Sequence, residues 1–305
     1  MNKDRWYRDF LDIVDGEDIL INEPMSKHTS FKIGGPVDFF LTPRSIKQLQ
    51  LLVNYCRDNE VPHYIIGNGS NLLVRDGGFS GVIIQIYKNL SSVKIDNDKV
   101  FAEAGILLST LAKKICKASL KGFEFASGIP GTLGGAVCMN AGAYGGELKQ
   151  ILVSATVIND KGDLVTLSNE KLELGYRTSI IQKNGYIVVS ATLELEKGNQ
   201  ENIQDHINEL TNKRKTKQPL ELPSAGSAFK RPIGYFAGKL IMDSGLKGYK
   251  IGDAQVSEKH CGFIVNTGNA TAKDVVLLMQ HIQETVKDKF GVNLEPEVRI
   301  IGFDN

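Results

Sequence analysis

Cysteine is scarce in this chain of 305 residues. The four present, Cys56, Cys116, Cys138 and Cys261, lie far apart, and no two are spaced C-x-x-C. That distribution argues against a disulfide framework and a cysteine-built zinc site, and no metal site is expected. An excess of either charge is missing too: 36 basic residues face 35 acidic ones, the net charge is +1, and no polybasic run occurs. Neither nucleic acid nor an anionic membrane is therefore an expected partner. No apolar run approaches the ~20 residues that span a bilayer. The first residues, MNKDRWYRDFLDIVDGED, are charged and amphipathic where a secretory signal would be apolar. A cytoplasmic, reduced, monomeric protein is the expectation. Three motifs are also absent: G-x-x-x-x-G-K-[ST], a third glycine after Gly67-Asn-Gly69, and G-x-S-x-G. The chain thus lacks a P-loop, a Rossmann fingerprint and a nucleophile elbow.

Glycine, by contrast, is abundant and clustered. Of its 31 residues, seven fall within the nineteen of GIPGTLGGAVCMNAGAYGG, residues 128–146. Glycine inside a regular element costs stability, so a cluster signals turns or a close approach of backbone to something else. The 42% hydrophobic content and the length leave room for a large core and two domains.

The pattern along the chain is mixed α/β. Residues 1–20 suggest a short amphipathic helix. Ser45-Ile-Lys-Gln48 is a capping box, followed by Ile46, Leu49, Leu52, Val53 and Cys56 at helical spacing. Strands are predicted at 64–66, 81–86 and 100–104, a helix over 107–120, and strands within 151–196 with a hairpin at Asp160-Lys-Gly162. The polar run 197–219, punctuated by Pro219 and Pro223, is the candidate domain boundary. Beyond it the spacing predicts helices at 237–243 and 271–290, strands at 254–257 and 262–265, and a last strand over 295–301.

Five constellations could carry chemistry. The loop Gly67-Asn68-Gly69-Ser70-Asn71 follows an apolar strand, and successive backbone N–H groups there would form an anion nest. A plain hairpin turn fits the same residues equally well. In the second glycine stretch, Gly128 and Gly131 would turn sharply, Gly134 and Gly135 would let backbone lie against a flat ligand, and Asn140 would be the polar contact; a tight helix N-terminus packed against a sheet is the alternative. Two such cradles favour a dinucleotide over a mononucleotide. Tyr176-Arg177 could clamp a carboxylate or oxyanion, although a solvated arginine is the commoner case. Ser227 stands between glycine and alanine with its hydroxyl uncovered, and Glu297 shares a strand face with Glu295 and Arg299; taken singly, a turn serine and a solvated strand face fit them better.

Together, GNGSNLL, SGIPGTLGGAVCMNAGAYGGE, YRTSII, SAGSAFKRP, AGKLI, VSEKHCGFIVN and LEPEVRIIG occur in the order found in UDP-N-acetylenolpyruvoylglucosamine reductases, and the chain resembles that family from about residue 26 to 302. The resemblance implies an α+β protein. A vanillyl-alcohol-oxidase-type FAD-binding domain would occupy 1–205, in two α/β subdomains at about 20–90 and 91–205. A C-terminal α+β substrate domain would occupy 206–305. It implies non-covalent FAD, NADPH as co-substrate, and UDP-N-acetylglucosamine enolpyruvate reduced to UDP-N-acetylmuramate. By motif match Ser227 would donate the proton, while Arg177 and Glu297 would stabilise the intermediate. Tyr176, Lys217, Lys239 and His260 are lesser candidates for holding the substrate. The stretch from Arg177 to Pro219 leaves no room for the tyrosine-bearing insertion of longer members, so the chain looks like the shorter class. An FAD-dependent oxidase of the same fold and a non-catalytic nucleotide-sugar-binding protein are the rival expectations.

Overall fold

In the computed structural model, which describes residues 3–304, apolar spacing sets the buried face of most helices. Trp6 and Phe10, one turn apart, form the buried face of α1 (Lys3–Leu11) and meet Phe39 edge-on, with ring centroids 6.4 and 5.5 Å away. Ser45 opens α2 (Ile46–Asp58): its Oγ accepts from the Gln48 N–H at 3.2 Å. The Gln48 side chain turns back to the Arg44 N–H at 2.7 Å, so the capping box closes one residue earlier than the sequence suggests. Leu49, Leu52, Val53 and Cys56 are its buried stripe.

Four further helices follow: α3 (Leu108–Lys117), the short α4 (Leu133–Cys138) and α5 (Ile180–Asn184), and the polar α6 (Gln200–Lys217). An antiparallel five-stranded sheet runs in the order Leu164–Ser168, Leu152–Ile158, Ile187–Glu194, Lys99–Glu103, Val93–Asp96. Its hairpin turn is closed by Asn159, whose Oδ1 accepts from the N–H groups of Lys161 and Asp163, both at 2.9 Å. A second sheet has the order Ile19–Pro24, Pro36–Leu41, Phe79–Gln85, His63–Ile66, its last two strands parallel with His63 opposite Val82.

Two compact units result. The first takes the residues up to Ile21, then Phe39–Asn68 and Gly81–Lys213; the second takes Asn22–Asp38, Gly69–Ser80 and the residues from Arg214 on. The C-terminal unit therefore holds two segments that chain order assigns to the first domain, and the boundary falls within α6 rather than at 205. Backbone pairing is the physical reason. Leu72–Val74 runs parallel to Arg299–Ile301. The Asp76 carboxylate accepts from Ala272 N–H at 2.8 Å and Lys273 N–H at 3.0 Å, satisfying two amides at the head of the long helix.

In this second unit, α7 (Ala237–Asp243) precedes the antiparallel strands Lys250–Ile251, Ala254–Val256 and Ile264–Asn266. The long helix α8 (Ala272–Phe290) starts at a full capping box, Thr271 with Asp274. It buries Val275, Leu278, Met279, Ile282 and Val286. The expected strand over 295–301 is regular only at Arg299–Ile301. Among the described residues no helix is long and apolar enough to cross a membrane.

Candidate functional site

In the first unit the two glycine stretches are fastened to each other. The Asn68 side-chain amide donates to the Pro130 carbonyl at 2.8 Å, and Gln85 Nε2 donates to the Gly67 carbonyl at 3.1 Å. A β-carbon on Gly67 would lie 2.2 Å from Thr132 Oγ1, so only glycine lets this turn close on Thr132. Thr132 stands extended just ahead of α4, where threonine ordinarily caps, yet makes no cap bond. It is 1% exposed, and its Oγ1 has no hydrogen-bond partner. Leaving a buried hydroxyl unpaired costs about 1–3 kcal/mol. Beside it Gly135 is exposed, and a β-carbon there would meet only Thr132 Oγ1, at 3.7 Å. Gly67, Thr132 and Gly135 thus make a bare backbone floor with one unused hydroxyl.

Other glycines of the stretch have structural work. The Gly134 N–H donates to the Ala104 carbonyl at 2.8 Å, and a β-carbon would fall 2.8 Å from that of Ala104, so Gly134 brings α4 against the sheet. The Gly131 carbonyl accepts from Leu108 N–H at 3.0 Å, in a short antiparallel bridge between Leu107 and Thr132.

Asn140 corrects a sequence expectation. It is 1% exposed, and its Nδ2 donates to Glu147 Oε2 and to the Gly175 carbonyl, both at 3.1 Å, while its Oδ1 accepts from Lys149 N–H at 2.9 Å. Its amide is committed within the protein rather than offered to a ligand. Two residues beyond Gly175, Arg177 is half-buried with φ +53°, its guanidinium 5.2 Å from the exposed Tyr176 ring.

In the second unit, Gly69 has φ +61°, and its carbonyl accepts from Ser30 N–H at 3.1 Å. Ser70 beside it is half-buried. Asn71 grips the C-terminal strand instead of presenting its side chain as a free nest donor: its Nδ2 donates to the Glu297 carbonyl at 3.1 Å and its own carbonyl accepts from Arg299 N–H at 3.0 Å. Ser227 and Glu297 are brought onto neighbouring extended segments. Ser227 bridges Phe263, Phe229 bridges Pro296, and Glu297 N–H donates to the Ala228 carbonyl at 2.9 Å. Both side chains are half-buried. Arg177 belongs to the first unit.

The remaining candidates also lie in the second unit. Lys217 is exposed at the end of α6. Lys239 is exposed and paired with Asp243 at 2.8 Å across one helical turn, an arrangement worth little in water. His260 Nδ1 accepts from Gly262 N–H at 3.1 Å, which requires that nitrogen to be unprotonated. Burial pushes its pKa below the ordinary 6.5. The unfolded chain then takes up a proton that the folded one resists. Stability is therefore full above about pH 6.5 and declines as pH falls below it. Urea unfolding is expected to give a lower free energy at pH 5.5 than at pH 7.5, with a shallower slope in His260→Asn; an unchanged slope in the variant would remove His260 as a source.

A family model described as UDP-N-acetylenolpyruvoylglucosamine reductase, C-terminal domain, matches residues 218–301, and one described as FAD binding domain matches 37–168. The chain is 55% identical over 302 residues to the UDP-N-acetylenolpyruvoylglucosamine reductase of Clostridium tetani, covering 98% of each chain. This chain belongs to the UDP-N-acetylenolpyruvoylglucosamine reductase family. The Thermus caldophilus reductase of that name superposes with a TM-score of 0.79 at 36% identity, over 93% of this chain and 98% of that one. The 4-ethylphenol oxidase of Gulosibacter chungangensis superposes with a TM-score of 0.50 at 14% identity, over 63% of this chain and 42% of that one, a likeness of fold alone. The fold is that of a vanillyl-alcohol-oxidase-type flavoprotein with a C-terminal α+β domain.

The reductase family's cofactor is FAD, and the first unit fits it. Gly67, Asn68 and Gly135 would hold it by backbone, and the unpaired Thr132 hydroxyl offers a donor to its polar edge. Thr132→Val is expected to weaken FAD binding about tenfold, the worth of one hydrogen bond, while the apoprotein melts no lower. Thr132→Ser should bind as the parent does. Fluorescence titration of apoprotein with FAD checks this, and equal affinities for Val and Thr would remove Thr132 from the cofactor's contacts.

Proposed function

We propose that this reductase converts the enolpyruvyl ether of UDP-N-acetylglucosamine to the lactyl ether, UDP-N-acetylmuramate, in peptidoglycan precursor synthesis, with NADPH as the electron source. When bound, FAD supplies hydride chemistry between NADPH and the vinyl carbon. The chain's own residues then face two tasks: the carbon next to the substrate carboxylate becomes electron-rich, and it must receive a proton. Ser227 donates that proton from its hydroxyl. A serine is a poor acid unaided, so charged neighbours must favour the transfer. Arg177 offers a fixed positive charge to the developing anion and Glu297 a hydrogen-bonding carboxyl group. Tyr176, Lys217, Lys239 and His260 assist in holding the sugar nucleotide; Lys217, exposed at its helix end, suits a diphosphate best. The protein works as a cytoplasmic monomer.

The observation that carries this reading is the backbone pairing that puts Ser227 and Glu297 on adjacent segments, about seventy residues apart in sequence. Its test is the visible spectrum of the purified protein under nitrogen. Flavin bands should bleach with NADPH and return on addition of the enolpyruvyl sugar nucleotide. A colourless protein that takes up no FAD would overturn the assignment, and bands that return at once in air without that substrate would point to an oxidase.

A further inference from the structure

Arg177 occupies a backbone conformation that arginine does not choose by itself. Its φ of +53° lies in the left-handed region, which is unfavourable for a non-glycine residue and persists only where surroundings impose it. The surroundings are specific. Gly175 and Thr178 exchange backbone hydrogen bonds at 3.1 and 3.3 Å, closing a tight turn with Tyr176 and Arg177 at its tip. On the entry side, Asn140 donates to the Gly175 carbonyl. On the exit side, Ser179 and Gln182 both donate to the Cys138 carbonyl, Gln182 at 2.8 Å, and Gln182 Nε2 also lies 3.4 Å from the Arg177 carbonyl. The Arg177 guanidinium itself reaches the Gly142 carbonyl at 3.4 Å. Ser179 and Asn140 are 0% and 1% exposed.

We infer that Asn140, Ser179 and Gln182 are positioning residues that latch the Arg177 turn onto residues 138–142. None needs to touch substrate. With the latch open, the turn relaxes toward ordinary right-handed backbone, and the guanidinium leaves its place. Displacements of about 1 Å cost rates of about 100-fold when they misplace a charge from its reacting partner. Buried polar networks of this kind are also the means by which a single conformation is specified. The end of the glycine stretch thus serves the arginine, while its beginning serves the cofactor.

This inference rests on the reading that Arg177 acts on the substrate, and the test separates the two. Ser179→Ala and Gln182→Met remove one donor each with little change of volume, and Gln182 is only half-buried. Both are made in the parent holoenzyme and in an Arg177→Ala background. Two single-turnover rates are followed: bleaching by NADPH, and recovery of colour on adding the enolpyruvyl sugar nucleotide. The expected result is recovery slowed about 10- to 100-fold in the parent background, bleaching unchanged within about twofold, and no further slowing in Arg177→Ala. An equal loss in the Arg177→Ala background, a matching loss in bleaching, or no loss at all would each overturn the latch. Full recovery in Arg177→Ala alone would show that the arginine has no role on the substrate, and the latch inference would fall with it.

Discussion

Ser227→Ala should leave the bleaching of flavin by NADPH close to that of the parent and slow reduction of the enolpyruvyl substrate about 100- to 10,000-fold, the usual contribution of a positioned proton donor. The asymmetry is the informative part. The serine hydroxyl is needed only once the substrate carbon is electron-rich, so the half-reaction without that carbon does not need it. The structure also makes the substitution a clean one. Ser227 is held by main-chain pairing to Phe263, and its neighbour Ala228 by main-chain bonds to Gly262 and Glu297, none of which uses the hydroxyl. Rapid-mixing absorbance for each half-reaction is the measurement. Equal loss in both would make Ser227 a structural residue, and the proton would have to come from elsewhere.

Gly69→Ala should be the most damaging small substitution in the glycine loops. A β-carbon there would lie 2.0 Å from the His28 carbonyl oxygen, and the residue would still have to hold φ +61°. Neither partner can yield easily, because both are backbone. Overpacking of about 1–3 kcal/mol and left-handed strain of about 1–2 kcal/mol together bring the expected loss to about 2–5 kcal/mol. Gly135→Ala provides the contrast: its added carbon meets only Thr132 Oγ1 at 3.7 Å, and its φ is not positive. That variant should melt with the parent as apoprotein yet retain FAD poorly, because the methyl stands on the bare floor. Melting curves with and without FAD distinguish the two. A Gly69→Ala protein as stable as the parent, or a Gly135→Ala protein with unaltered FAD affinity, would contradict the assignment of structural and cofactor roles to these glycines.

Local signals in the sequence were enough to place most helices. Ser45 with Gln48, and the stripe from Leu49 to Cys56, locate α2; Val275, Leu278, Ile282 and Val286 locate α8. What could not be read locally is which segments pair across the chain. Leu72–Val74 is three apolar residues whose partner, Arg299–Ile301, lies at the far end. The same limit governs the site. Asn71 and Asn140 sit within the glycine-rich stretches and look like ligand contacts, but their amides reach carbonyls 226 and 35 residues away. Thr132 is hidden among glycines, and its unsatisfied hydroxyl has one local hint: a threonine at a helix start without an acid or amide three residues later. Ser179 and Gln182, three residues apart just after Arg177, carried a similar hint of facing one partner.

The pairing of early segments with the last third of the chain also bears on how the protein is made. Phe31, Ile33 and Leu73 are buried in a core whose other members run from Ala225 to Val298. On the ribosome these three emerge well before that core exists. At about 5–20 residues per second, they wait on the order of ten seconds or more for their partners. During that interval Phe31, Ile33 and Leu73 are apolar side chains without the core that buries them. Translation must therefore be nearly finished before the second unit can condense, and a chain stalled in α6 would be a substrate for chaperones or proteases rather than a half-built enzyme.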